Sequence, residues 1–159
     1  MIEYSVLFVC TGNTCRSPMA EGLAKQLLAE LKGVPVAHLE QAGVRVRSAG
    51  VATAGGSRAT PEAVEAMRQA GVDIADHQST PLHADLIQDA DVIYTMTNGH
   101  RNAVAIFDAN AMSKTHQLLE DQDVADPIGG PQSLYLQTAE MIRAGLKLRI
   151  AERYGDRVG

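Results

Sequence analysis

The 159 residues contain no tryptophan, only 4 % aromatics and only two cysteines. Without large aromatics the core must rest on Leu, Val, Ile, Ala and Met. Two cysteines cannot staple a small secreted domain, and a reducing compartment suits them. They form no C-x2-C pair and have no neighbouring histidine to complete a tetrahedral zinc site. No apolar run approaches the ~20 residues that span a bilayer. The opening MIEYSVLFVC carries an acid and only a brief apolar stretch, unlike a signal peptide. Dense Lys/Arg runs are missing as well. The longest basic stretch, Arg143 to Arg157, is broken by Glu152 and Asp156 and reads as a solvated helix face. Neither nucleic acid nor a membrane is an expected partner, no dedicated oligomer surface stands out, and the cytoplasm is the expected location.

What the chain does contain is a globular mixture, 45 % hydrophobic and 21 % charged, with a net charge of −5. That length and composition predict one domain over residues 1–159. Its apolar period alternates between strand and helix. Short strands are predicted at Val6–Val9, Val44–Arg47, Val92–Met96 and His116–Leu119. Ser17-Pro18 opens a helix, with Ser17 as cap, Pro18 at the first helical position and Glu21 in an acidic first turn. Met19, Leu23, Leu27, Leu28 and Leu31 form its buried stripe and Gly33 closes it. Thr60-Pro61-Glu62 starts a second helix that runs to Gly71, and a helical turn is expected near Ala84–Gln88. Another helix covers Asn98–Phe107. After a polar loop from Glu120 to Gln132, a last helix runs from Ser133 to Tyr154. Leu134, Thr138, Met141, Ile142, Gly145 and Leu148 lie along one side of it. Strands alternating with helices predict an α/β three-layer sandwich around a doubly wound, four-stranded parallel sheet. Ligands of such sheets bind beyond the carboxyl ends of the strands, so the loop after the first strand is the first candidate site.

That loop reads Cys10-Thr11-Gly12-Asn13-Thr14-Cys15-Arg16-Ser17. Between a strand and a helix start, it can curl so that backbone N–H groups converge on one oxyanion, aided by the helix dipole. Gly12 and Asn13 tolerate the left-handed backbone such a curl needs. Arg16 offers a planar fork for two phosphate oxygens. The same donors favour a thiolate at Cys10, so a nucleophile ionised at neutral pH is expected, with Ser17 bonded to its sulfur. A lone cysteine is most often a small buried packing residue. The surrounding Gly12, Asn13, Arg16 and Ser17 turn the balance toward chemistry. No G-x4-G-K-[ST] phosphate loop occurs, and a single glycine excludes a dinucleotide fingerprint.

The run VLFVCTGNTCRSPMAEGL resembles the amino-terminal signature of the low-molecular-weight protein tyrosine phosphatases. The similarity continues through Arg47-Ser48-Ala49-Gly50, Asp76-His77, Ser79 and Asp126-Pro127, and so covers nearly the whole chain. It implies that Cys10 forms a cysteinyl-phosphate and that Arg16 binds phosphate and the transition state. It implies Asp126 as general acid, then as base for the attacking water. Thr11, Gly12, Asn13, Thr14 and Cys15 would bind phosphate, while Asn13, Ser17, Ser48 and His77 would hold the loop in shape. By residue type alone, an aspartate in a polar loop is usually just solvated, and His77 would be a structural histidine. Cys15 has two readings, a packing residue or, by the resemblance, a partner that protects the nucleophile from over-oxidation. The absence of further cysteines speaks against the related arsenate reductases.

The resemblance also bears on substrate. Its implied partners are phosphorylated proteins, with inorganic phosphate as product, and no metal or organic cofactor is implied. Tyrosine-specific members usually carry Ile or Leu where this chain has Thr14, whereas the protein arginine phosphatases resemble it in carrying Thr. After Asp126-Pro127 stand Ile128-Gly129-Gly130 rather than the aromatics that sandwich a phenyl ring. Met96-Thr97-Asn98-Gly99-His100 is also similar to the arginine branch, although loop polar residues are read as exposed. Phosphoarginine is therefore the expected substrate and phosphotyrosine the alternative. A catalytically silent phosphate-binding module is disfavoured by the joint presence of Cys10, Arg16 and Asp126, and nothing favours an oligomerising structural protein.

Overall fold

A computed structural model describes residues 1–155. Asp156 and Arg157, which end the basic stretch, lie outside the described residues. Four parallel strands, β1 (Tyr4–Cys10), β2 (Val44–Gly50), β3 (Val92–Thr95) and β4 (Thr115–Gln117), form one sheet in the order β2-β1-β3-β4. Five α-helices connect or follow them: α1 (Arg16–Lys32), α2 (Pro61–Gln69), α3 (Ala84–Asp89), α4 (Asn98–Phe107) and α5 (Gln132–Tyr154).

All seven residues of β1 are buried, which is why the strand reads as a continuous apolar run rather than an alternation. Tyr4, Val6, Phe8 and Cys10 belong to a core shared with α1, α2 and α5. Leu7 and Val9 point the other way, into a smaller core with Leu86, Ile87 and Val104 from α3 and α4. Period-two alternation between two cores makes the three-layer, doubly wound sandwich. From β1 the sheet grows toward β2 on one side and β3 on the other, so the strand order reverses there. The crevice beyond the carboxyl end of β1 is thus the switch point where ligands bind in this architecture. Cys10 is the last residue of that strand.

β2 closes one wall of the crevice. Its last residue, Gly50, pairs with Cys10. A Cβ on Gly50 would fall 2.6 Å from the Thr11 carbonyl oxygen and 3.0 Å from the Asn13 nitrogen, so only glycine lets the loop lie this close.

Local details depart from the sequence reading for identifiable reasons. Ser17 does not cap α1: the cap position is Cys15, which makes no side-chain capping bond. The Ser17 hydroxyl is drawn to Cys10 instead. Glu21 lies beyond the first turn of α1 and bonds Ser48 and Lys25. Thr60 does cap α2, accepting from the Ala63 N–H. β4 begins at Thr115 rather than His116 and ends at Gln117. On α5 the buried stripe is Tyr135, Thr138, Ala139, Ile142, Gly145, Leu146 and Ile150, while Leu134, Met141 and Leu148 are exposed. The apolar residues encircle this helix, so periodicity left its rotation open, and packing on α1 and α2 decides it.

Candidate active site

Residues 11–15 curl between β1 and α1. Asn13 sits at φ 57°, the left-handed region, and is fully buried. Asparagine is among the few L residues that occupy this region at modest cost, and here its amide explains the choice. Nδ2 donates to Ser17 Oγ at 2.7 Å and to Ser48 Oγ at 3.0 Å, while Oδ1 accepts from the Thr80 N–H at 2.8 Å. The Asn13 carbonyl oxygen accepts from His77 Nε2 at 2.8 Å, which fixes the proton on that nitrogen. Ser48 Oγ in turn donates to Glu21 Oε1 at 2.6 Å, and Lys25 pairs with the same carboxylate. One side chain thereby braces the loop against α1, β2 and the segment 77–80. Ser17, Ser48 and His77 all meet at Asn13. Glu21 is an addition that no local pattern could reveal, because its partner lies on β2.

The N–H groups of Gly12, Thr14 and Cys15 have no acceptor among the described residues. They stand with the amino terminus of α1 at the mouth of the curl, an arrangement that favours an anion. The Asn13 N–H points to Cys10 Sγ at 3.3 Å, and Ser17 Oγ lies 2.8 Å from the same sulfur. Because Ser17 Oγ already accepts from Asn13, its hydrogen is free to be donated to sulfur.

The expected ionisation of Cys10 needs correcting. Burial pushes the thiol above its ordinary value, opposed by the Ser17 hydroxyl and N–H, the Arg16 charge and the Asn13 N–H. Those donors lie in the local sequence, whereas the desolvation of a side chain only 3 % exposed arises from the fold. The donors' contribution is testable. Ser17→Ala removes a bond made preferentially to the thiolate, so the pH midpoint for alkylation of Cys10 by iodoacetamide should rise by about one unit. An unmoved midpoint would mean that Ser17 does not stabilise the anion.

Arg16 is buried, and its donors are shared among the loop's surroundings. Nη1 donates to the Val124 carbonyl at 2.8 Å, and Nη2 to Thr11 Oγ1 at 3.4 Å. Asp126 Oδ2 lies 3.4 Å from Nη2, with 40 % of its side chain exposed. The Asp126 loop is thus tethered by the same guanidinium that faces the curl. Its backbone is also fastened to the sheet, since the Val124 N–H donates to the Met96 carbonyl just past β3. Asp126 Oδ1 accepts from the Ile128 N–H at 3.1 Å, which orients the carboxylate. A cavity of about 130 Å³ joins Cys10, Thr11, Thr14, Arg16, Asp126 and Ile128. A larger cavity, about 440 Å³, lies against Glu21, Ser48 and His77 and includes neither Cys10 nor Asp126. Cys15 is buried, its sulfur 3.5 Å from Tyr135 Oη and 3.6 Å from Thr60 Oγ1, and both cysteines are free thiols.

Comparison with known proteins bears directly on this arrangement. The family model described as low molecular weight phosphotyrosine protein phosphatase matches residues 5–152. The chain belongs to this family. Within it, the chain is 37 % identical over 157 residues to a protein-arginine-phosphatase of Bacillus subtilis, covering 96 % of this chain and 98 % of that one. A probable low molecular weight protein-tyrosine-phosphatase, EpsP of Ralstonia nicotianae, is 33 % identical over 144 residues, covering 89 % and 90 %. A solved structure of YwlE arginine phosphatase, a mutant with a phosphorylated active-site serine, superposes with a TM-score of 0.84. It shares 37 % identity and covers 96 % of this chain and 97 % of that one. The low-molecular-weight phosphatase family thus includes relatives of this chain named for two different phosphorylated side chains.

Proposed function

We propose that the protein is a low-molecular-weight cysteine phosphatase that hydrolyses phosphoarginine on proteins. In the first step Cys10 loses its proton to water and attacks phosphorus as the thiolate. The S–P bond forms as the P–N bond breaks, and Asp126 gives its proton to the departing guanidine nitrogen. In the second step Asp126 takes a proton from water, whose oxygen displaces the sulfur and releases inorganic phosphate. Arg16 and the N–H groups of residues 12, 14 and 15 hold the phosphoryl oxygens, whose charge builds in each transition state. A reducing, cytoplasmic setting keeps Cys10 in its working form. The missing additional cysteines leave no relay for arsenate reduction.

The observation that carries the substrate reading is the lining of the small cavity. Thr14 and Asp126 border it, and no aromatic side chain among the described residues does. A phenyl ring gains most from an aromatic slot, whereas a phosphoguanidinium offers N–H edges that need acceptors. Asp126 and the Thr14 hydroxyl are such acceptors. The names of the arginine phosphatases among the relatives support the same choice.

The test is paired kinetics. Wild type should hydrolyse phosphoarginine with higher kcat/KM than phosphotyrosine. Thr14→Ile keeps a β-branched side chain but removes the hydroxyl, and should move the ratio toward phosphotyrosine by about tenfold, or ~1.4 kcal/mol. If wild type prefers phosphotyrosine and Thr14→Ile leaves the ratio unchanged, the protein is a tyrosine phosphatase instead.

A further inference from the structure

His100 stands at the start of α4, away from the loop in sequence but against it in space. Its backbone N–H donates to Thr97 Oγ1 at 3.1 Å, and its ring is buried, with the residue 6 % exposed. The sequence had suggested an exposed loop polar residue, which the structure corrects. Nε2 lies 2.8 Å from Thr11 Oγ1, while Nδ1 is buried and has no hydrogen-bond partner among the described residues. Thr11 Oγ1 is also the oxygen to which Arg16 Nη2 donates. A chain of three side chains therefore runs from α4 through the phosphate loop to the guanidinium.

The proton inventory gives this chain a direction. A guanidinium only donates, so Arg16 needs a lone pair on Thr11 Oγ1. That oxygen keeps a second lone pair and its own hydrogen, so the near nitrogen of His100 either donates to it or takes its hydrogen. Arg16's positive charge favours a lone pair rather than a proton on that nitrogen, which leaves the ring proton on Nδ1. We propose that His100 is a positioning residue of the phosphate site, accepting the Thr11 hydroxyl hydrogen and so turning the Thr11 lone pairs toward Arg16 to fix its fork. Burial and the Arg16 charge lower the ring's pKa to about 4, outweighing the opposing charges of Asp123 and Asp126. The imidazole is thus neutral across the physiological range and keeps an acceptor for Thr11. An apolar ring in its place would fill the same space but leave the threonine hydroxyl free to rotate.

This inference rests on the phosphatase reading, and its test separates the two. Nitrogen NMR of the wild-type protein at pH 6 should show His100 as a neutral ring protonated on Nδ1. A ring protonated on Nε2, or charged, would overturn the proposal, whether or not the enzyme turns over. In kinetics, His100→Phe and Thr11→Val should each lower kcat/KM about tenfold. The double variant should be no worse than either, and His100→Gln, whose amide oxygen can accept, should recover most of the loss. Additive losses in the double variant would overturn the proposal, as would full activity in a folded His100→Phe. If His100→Phe does not fold, the NMR result on wild type decides. Absent turnover in wild type would instead count against the phosphatase reading itself.

Discussion

Cys10→Ser should reduce turnover of every phosphorylated substrate by about 10⁴-fold or more, a loss of at least ~5 kcal/mol of transition-state stabilisation. A serine hydroxyl ionises far less readily than a thiol, and the groups around Cys10 Sγ are donors, with no base among its hydrogen-bond partners. They can stabilise an anion that already exists but cannot take a proton from an alcohol. The variant should still fold and still bind inorganic phosphate, since Arg16 and the backbone N–H groups remain. Steady-state assays with an aryl phosphate, alongside calorimetric titration of phosphate, check both halves. Activity above a tenth of wild type would remove Cys10 from its assigned role.

The second large effect is selective. Asp126→Ala should cost about 10²- to 10⁴-fold with a poor leaving group, the usual contribution of a positioned acid. With an activated aryl phosphate, whose leaving group departs without a proton, the loss should be about tenfold or less. Asp126 also contacts Arg16, so Asp126→Asn is the control that retains a polar partner at 3.4 Å. Measuring kcat/KM across phenols of graded acidity distinguishes the cases. A uniform loss would assign Asp126 to holding Arg16 rather than to proton transfer.

The parts of this molecule legible in its sequence are those written within one short segment. The loop from Cys10 to Ser17 announces itself because nucleophile, left-handed residue and guanidinium lie together between a strand and a helix. The alternating periods of β1, α1, β2 and α2 give the layered fold for the same reason. Contacts between distant segments stayed hidden. His100 looked like one polar residue among several in its loop, and its burial against Thr11 follows only once β3 is placed beside β1. The local setting of Ser17 suits a helix cap. The pull of Cys10 and Asn13 on its hydroxyl belongs to the folded loop. The burial of Cys10 is likewise absent from its local sequence, since desolvation depends on everything packed around a residue and not on its neighbours in the chain.

The close approach of Gly50 to the carbonyl of Thr11 limits how enzymes on this scaffold can diverge. Where main chain touches main chain, no side chain is available to be exchanged, so the oxyanion-holding floor offers mutation almost nothing to adjust. The side chains of Thr14 and Ile128 border the cavity instead, where substitutions change its lining without meeting that main-chain contact. Under the proposed reading, a different leaving group calls for new side chains at that rim and leaves the main-chain surface beneath it untouched.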